Sequence, residues 1–190
     1  MSMNQQSALE VVADHRGSRI VIPTMGAVGF WQKMSDTALD FTYMPSSMGQ
    51  GPALGLGLAL AQPQHGAIVL CGDGSLLMNL GCLVTIAQHR ADLWLILLDN
   101  SQYEVTGGQP VAGAGRTDFT GLARSAGISR AFAFDDLEAW RAGAPEVFAG
   151  RGPVLVWLKL TPVAGQKTPT PAHSMPEQIA RLQAALGLLN

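Results

Sequence analysis

Two side chains with oxygen donor atoms follow the ends of predicted strands. Asp73 follows the apolar run at residues 67–70, and Asn100 follows a second apolar run at residues 93–98. A helical segment separates the two runs, and the carboxyl ends of neighbouring parallel strands lie side by side in an open sheet. Carboxylate and amide oxygens suit Mg²⁺, which usually binds through one or two carboxylates together with phosphates of a bound ligand. The spacing therefore predicts a magnesium site at one edge of a sheet.

Glycines flank the carboxylate on both sides. Gly72 and Gly74 would let the backbone approach a diphosphate closely, and the N–H groups of Gly74 and Ser75 would open a helix whose N-terminus attracts anions. A Gly-Asp-Gly triplet alone is also a common turn, but the preceding strand, the following helix and Asn100 together favour a phosphorylated cofactor. A dinucleotide fingerprint is excluded, because neither glycine cluster follows the required spacing after a strand.

Strands and helices alternate along the chain. This alternation predicts an α/β fold, a doubly wound and mostly parallel sheet with helices on both faces, in one domain over residues 1–190. The predicted strands are at residues 19–22, 67–70, 93–98, 130–134 and 153–160, with an extended segment at 40–43. The predicted helices are at residues 5–13, 28–34, 52–61, 76–89, 118–126, 136–142 (capped by Asp135), 145–149 and 176–188, and a glycine-rich loop spans 101–116.

Composition excludes several classes of partner. With 190 residues, 47% hydrophobic and 14% charged, the chain can bury a substantial core. A net charge of −2 without a basic cluster argues against nucleic acid, and the longest apolar run is too short to span a bilayer. The amino terminus is polar and has no secretory pattern, and Cys71 and Cys82 lie in predicted core elements without metal-ligand spacing. We expect a soluble, cytoplasmic protein that binds neither nucleic acid nor membrane.

Three segments of the chain resemble one family. They are Tyr43-Met44-Pro45-Ser46-Ser47-Met48-Gly49, residues 72–79, and residues 99–103 followed by 106–110. Together they are similar to thiamine diphosphate-dependent decarboxylases, and most similar to the sulfopyruvate decarboxylase β subunit and the matching half of phosphonopyruvate decarboxylase. The resemblance implies a thiamine diphosphate-binding fold, with Mg²⁺ held by the side chains of Asp73 and Asn100 and the main-chain carbonyl of Gln102. The family usually has glycine where this chain has Glu104, which leaves the loop conformation open.

The resemblance also implies a site for the rest of the cofactor. Met48 matches the bulky residue that forces the two rings into a V, and the Ser46 carbonyl would face the 4′-amino group, although a Met before a helix can equally be a core filler. Thr24 and Gly26 are candidate diphosphate contacts after the first strand, where a plain strand-to-helix turn is the alternative. The cofactor-binding residues implied are Thr24, Gly26, Ser46, Ser47, Met48, Gly72, Asp73, Gly74, Ser75, Asn100, Gln102 and Tyr103.

One half of the expected machinery is missing. Thiamine catalysis in the family needs a Glu on a separate pyrimidine-binding domain, for which this chain has no room. The resemblance therefore implies a homo- or hetero-oligomer, in which a pyrimidine-binding decarboxylase α subunit supplies the Glu. The expected reaction is decarboxylation of a small anionic 2-oxoacid similar to 3-sulfo- or 3-phosphonopyruvate. A carboligase similar to acetolactate synthase, a 2-oxoacid oxidoreductase and a non-catalytic cofactor-binding protein remain alternatives.

Overall fold

The computed structural model describes residues 3–45, 48–163 and 169–188. Strands in this part of the chain are β1 (Ile20–Pro23), β2 (Ala67–Gly72), β3 (Leu93–Asp99), β4 (Gln102–Tyr103), β5 (Gln109–Pro110), β6 (Arg130–Phe134) and β7 (Val154–Lys159). The helices are α1 (Gln5–His15), α2 (Gly26–Met34), α3 (Gly51–Ala61), α4 (Asp73–Leu77), α5 (Cys82–His89), α6 (Phe119–Ser125), α7 (Leu137–Phe148) and α8 (Met175–Ala185), with a 3₁₀ turn at Glu104–Thr106.

The central sheet is parallel. Its strands lie in the order β1, β2, β3, β7, β6, and every pairing between them is parallel. Asp40 and Tyr43 add single parallel bridges to the outer side of β1, so the predicted extended segment follows this edge. Because all strands of the sheet point the same way, the turns that leave their carboxyl ends meet at one edge. That edge carries the candidate site.

Helices cover both faces of the sheet. Along β1, Ile20 and Ile22 pack into one core with residues of α3, α5 and α6, whereas Val21 packs into a second core with α1, α2 and α7. The alternation follows from the two-residue repeat of a strand. The inner strands β2 and β3 are buried on both sides, which is why their sequences are continuous apolar runs. The predicted doubly wound α/β fold is confirmed.

Three local predictions were wrong. The single helix expected at 76–89 is two helices, because α4 begins directly at Asp73 and the chain turns between Leu77 and Cys82. The helices expected at 136–142 and 145–149 are one, α7, whose N-cap is Asp136 instead of Asp135. The Asp136 side chain accepts hydrogen bonds from two backbone N–H groups, and Pro145 lies inside the helix. The glycine-rich loop contains the β4–β5 hairpin.

Among the described residues, no helix combines the length and apolar character needed to cross a membrane.

Candidate functional site

A cleft opens to solvent at the carboxyl edge of the sheet. The space between its walls is about 530 Å³ with open solvent included, and the walls come from the turns after β1, β2 and β3, the 3₁₀ turn and the first residue of α1. Every predicted site residue within the described part of the chain lines this cleft: Thr24, Gly26, Met48, Gly72, Asp73, Gly74, Ser75, Asn100, Gln102 and Tyr103. Ser46 and Ser47 lie outside the described residues. Residues far apart in sequence therefore surround one ligand-sized space.

Asp73 is a buried carboxyl group, with 3% of its surface exposed. Burial, and then the neighbouring carboxyl group of Asp99, raise the pKa of Asp73 to about 7. Asp99 in turn accepts hydrogen bonds from Trp157 Nε1 at 2.7 Å and from the Ser101 N–H at 2.9 Å. Neighbouring carboxyl groups repel each other when both are ionised, and a bound divalent cation would offset that repulsion. The sequence analysis gave Asp99 no role, because its function depends on the distant Trp157.

The remaining oxygen donors follow β3. Asn100 Oδ1 accepts a hydrogen bond from the Gln102 N–H at 3.1 Å, so the turn that carries both residues is fixed by its own side chain. In the described residues, no cluster of three or more His, Cys, Asp or Glu side chains could hold a metal ion by itself. A cation in this cleft would therefore bind one carboxylate, an amide oxygen and a main-chain carbonyl, and complete its shell with ligand phosphates. Such a mixed set suits Mg²⁺.

The two glycines beside Asp73 serve different purposes. A Cβ added at Gly72 would meet no atom within 4 Å, so its backbone is open to a ligand in the cleft. A Cβ at Gly74 would lie 2.4 Å from Tyr103 Cε1, because the Tyr103 ring covers that position. Gly72 thus fits the expected close approach of a diphosphate, whereas the absence of a side chain at Gly74 accommodates the tyrosine.

The turn that carries Met48 is tied to the segment after β2. The Gly49 N–H donates to Ser75 Oγ at 2.9 Å, and Asn79 Nδ2 donates to the Gly49 carbonyl at 3.1 Å. Gly49 has φ +85°, and a Cβ there would lie 3.0 Å from Asn79 Cβ. Ser75 therefore helps to position Met48, through its hydrogen bond with the backbone of Gly49. The sequence analysis missed the role of Asn79, because the contact joins residues 30 apart in sequence.

The β1 side of the cleft ends in an uncapped helix. Thr24 Oγ1 donates to the Leu70 carbonyl at 2.8 Å, so its hydroxyl proton is used within the sheet. Met25 has φ +47°, which is rare for a residue with a side chain, and it leads into Gly26 at the start of α2. No side chain caps α2, and its first turn holds no acidic residue. The N–H groups of Ala27 and Val28 donate to the carbonyls of Thr24 and Met25, so the helix start would attract an anion in the cleft chiefly through its dipole.

Glu104 also lines the cleft, and its carboxylate has a partner. Glu104 Oε1 accepts a hydrogen bond from the Val163 N–H at 2.7 Å. The residue therefore connects the loop after β4 to the segment that follows β7.

A doubly wound parallel sheet with a buried carboxyl group, an amide and a helix N-terminus at its carboxyl edge is the arrangement expected of a domain that binds a phosphorylated cofactor. The family model for the thiamine pyrophosphate enzyme, C-terminal TPP binding domain, matches residues 23–158. The chain belongs to this family.

Its relatives include named decarboxylases. The chain is 42% identical over 121 residues to sulfopyruvate decarboxylase subunit beta of Methanothermobacter thermautotrophicus, a match that covers 63% of this chain and 62% of that protein. It is 34% identical over 161 residues to phosphonopyruvate decarboxylase of Streptomyces hygroscopicus, which covers 82% of this chain and 39% of that protein. The chain thus spans less than two thirds of either relative.

A solved structure shares the fold. Thiamine diphosphate-dependent 4-hydroxybenzoylformate decarboxylase of Rhodococcus jostii superposes with a TM-score of 0.68 at 22% identity, over 85% of this chain and 33% of that one. The likeness confirms the α/β architecture.

Proposed function

We propose that this chain is the thiamine diphosphate- and Mg²⁺-binding subunit of a decarboxylase for small anionic 2-oxoacids such as 3-sulfo- or 3-phosphonopyruvate. The observation that carries the proposal is the single cleft in which Asp73, Asn100 and Gln102 lie together with Met48. Two relatives are named for decarboxylation of these two acids. The Cys71 and Cys82 thiols are buried and unpaired, in keeping with the cytoplasmic location that we also propose.

The residues of the cleft fit the proposed cofactor. Asp73, Asn100 and the Gln102 carbonyl would hold the cation, and the open backbone at Gly72 and the start of α2 at Gly26 would face the diphosphate. When bound, thiamine diphosphate supplies the electron sink that lets a 2-oxoacid lose CO₂ and take up a proton to become an aldehyde. The chain itself would anchor the charged end and hold Met48 beneath the rings.

Replacement of Met48 by alanine tests the second of these roles. We expect the turnover of the assembled enzyme to fall about tenfold or more, because loss of the support beneath the rings disturbs their geometry. The dissociation constant of thiamine diphosphate should change only about threefold, since the diphosphate contacts lie elsewhere. Steady-state kinetics and isothermal titration measure the two quantities. Met78→Ala is the control, because Met78 is 55% exposed. Wild-type turnover in Met48→Ala would show that Met48 only fills space in the core and does not support the rings.

We propose that a separate pyrimidine-binding subunit supplies the catalytic Glu. Relatives named as subunit beta support a two-subunit enzyme. An apolar groove of about 710 Å³ between α3 and α5 supports it further, since its lining includes Leu56, Leu60 and Ile86, with Leu60 47% exposed. Asn79, which bonds the Gly49 carbonyl, also lines this groove. A subunit seated there would reach the turn that carries Met48.

A charge placed in this groove should prevent assembly. We expect Leu60→Asp to weaken association with the α subunit about tenfold or more, because the carboxylate would be desolvated against the apolar lining. Co-purification and analytical ultracentrifugation measure association, and circular dichroism checks the fold. Ile179→Asp on α8, where the isoleucine is 43% exposed, is the matched control. Equal association of both variants would place the partner elsewhere.

A decarboxylation assay tests the proposed activity. The chain is co-purified with its partner and supplied with thiamine diphosphate, Mg²⁺ and a panel of 3-substituted pyruvates. We expect one CO₂ and one aldehyde for each 2-oxoacid consumed. Formation of acetolactate from pyruvate would favour the carboligase alternative, and electron transfer to an added acceptor would favour the oxidoreductase. Cofactor binding without turnover of any of these acids would favour a non-catalytic role.

A further inference from the structure

Gln5 has a buried side chain that faces the cleft without a partner. It is the first residue of α1 and lines the cleft, yet only 6% of its surface is exposed. Within the described residues its amide makes no hydrogen bond, and its polar atoms are not among the buried atoms that lack a partner, so the amide contacts the solvent of the cleft. The buried atom without a partner among the described residues is Oε1 of Gln178, which lies outside the cleft and whose amide nitrogen donates to the His173 carbonyl. The amide of Gln5 can therefore donate to a ligand that enters the cleft.

The backbone around Gln5 is held in place from several directions. The Met3 carbonyl accepts a hydrogen bond from the Thr161 N–H at 2.9 Å, which ties the chain before α1 to the segment after β7. The Ala8 carbonyl accepts one from Trp140 Nε1 at 3.0 Å, which fixes α1 on α7. Asn4 caps the helix by accepting from the Ser7 N–H at 2.8 Å. These hydrogen bonds fix the backbone that carries the Gln5 side chain at the cleft.

The charges around Gln5 suit an anion. The uncapped N-terminus of α2 at Gly26 lines the same cleft, and no acidic residue occupies its first turn. Of the acidic residues that line the cleft, Glu104 accepts a hydrogen bond from Val163, and Asp73 is the proposed cation ligand. An amide has two hydrogens to donate and carries no charge to be desolvated. A buried amide beside the positive end of a helix is complementary to a phosphate oxygen.

We propose that the Gln5 side chain donates a hydrogen bond to the diphosphate of thiamine diphosphate, as a cofactor-binding residue contributed by α1. The inference rests on the proposed function, because it assigns the anion to that cofactor. It places one anchor of the diphosphate on the first helix of the chain, more than 60 residues before Asp73.

Gln5→Met tests the inference, because methionine has a similar length and lacks the donor. Thiamine diphosphate is titrated into the full chain with its partner subunit at saturating Mg²⁺, and the melting temperature of the ligand-free protein is measured in parallel. We expect the dissociation constant to rise about tenfold. The melting temperature should stay about the same, because the Gln5 amide makes no hydrogen bond to the protein that the variant would lose. Gln6→Met is the matched control, since Gln6 is exposed and bonds Glu10 on the surface.

A second variant, Gln5→Glu, keeps the shape and places a carboxylate near the diphosphate, and it should weaken binding further. Inorganic pyrophosphate should show the same order of affinities. Dissociation constants within twofold of wild type in both Gln5 variants would overturn the inference, and so would a raised KM for 3-sulfopyruvate with unchanged cofactor affinity. Failure of the wild-type protein to bind thiamine diphosphate would overturn the proposed function and this inference together.

Discussion

Asp73→Asn is expected to abolish Mg²⁺-dependent binding of thiamine diphosphate while it stabilises the ligand-free chain above neutral pH. Asparagine keeps the shape of the side chain and removes the charge that a divalent cation needs. The dissociation constant measured by titration at pH 8 should rise at least about a hundredfold, since truncation of one member of a buried charge pair costs about 3–5 kcal/mol. Unchanged affinity would remove Asp73 from the metal site.

The stability effect follows from the raised pKa of Asp73. That pKa is about 7 in the folded chain against 3.8 as its ordinary value, so the folded state holds a proton that the unfolded state has released. The stability of the ligand-free protein therefore falls as the pH rises from about 4 to about 7, by up to about 4 kcal/mol. Asparagine does not titrate, so at pH 8 the variant should melt several degrees higher than wild type.

Thermal melts without Mg²⁺ at pH 5 and pH 8 separate the two states of the carboxyl group. At pH 5 Asp73 is still protonated in the folded chain and only about a third of that stability has been lost, so the variant should exceed wild type by much less than at pH 8. Asp14→Asn, on an exposed position of α1, controls for the change of net charge. A variant that melts lower than wild type at pH 8 would contradict the repulsion between Asp73 and Asp99.

The raised pKa of Asp73 also affects ligand binding, because a cation needs the ionised carboxylate. The affinity of wild type for Mg²⁺ and thiamine diphosphate should therefore increase as the pH rises through about 7.

The second large effect expected is the dependence of activity on the partner. The purified chain alone should decarboxylate no 2-oxoacid, and addition of the pyrimidine-binding subunit should restore turnover. The resemblance to thiamine diphosphate-dependent decarboxylases implies a Glu at the pyrimidine ring, and the five glutamates of the chain are Glu10, Glu104, Glu138, Glu146 and Glu177. Among these, Glu104 alone lines the cleft, and its carboxylate accepts the Val163 N–H. Glu104 also follows the loop of the proposed metal ligands, at the end of the cleft proposed for the diphosphate.

Glu104→Gln is the decisive variant for that prediction. Glutamine can still accept the Val163 N–H, so the assembled enzyme should keep its turnover within about threefold. Measurement of CO₂ release by the single chain, the assembled enzyme and the assembled variant completes the comparison. Substantial release by the single chain that is lost in Glu104→Gln would show that this chain carries its own acid, and the proposal of a separate Glu would fall.

The sequence was sufficient to predict the sheet and the edge of it at which Asp73 and Asn100 line one cleft. Asp73 and Asn100 follow long apolar runs, and parallel strands bring such ends together whatever the details of packing. The break between α4 and α5 could not be predicted, since the apolar repeat continues through it. The break accompanies the hydrogen bond of Asn79 to the Gly49 carbonyl, which exists only in the folded chain.

Other features of the site depend equally on distant parts of the chain. Gln5 is buried because the segment after β7 pairs with Met3, and the β7 side chain Trp157 holds Asp99 across the strand ends. Neither contact has a local signature, because glutamine at the start of a helix is usually exposed. The contact between Gly74 and Tyr103 could not be predicted for the same reason, since only the folded structure places the Tyr103 ring over Gly74.

The hydrogen bond from Trp157 to Asp99 gives the chain an optical reporter of its own. Trp31, Trp94 and Trp140 belong to the core on the opposite face of the sheet, whereas Trp157 packs on the face of α6 and donates its indole N–H to a carboxylate beside the proposed cation. Indole emission responds to charge nearby. Arrival of a divalent ion at Asp73 would therefore alter the fluorescence of one tryptophan among the four, without any label attached to the protein.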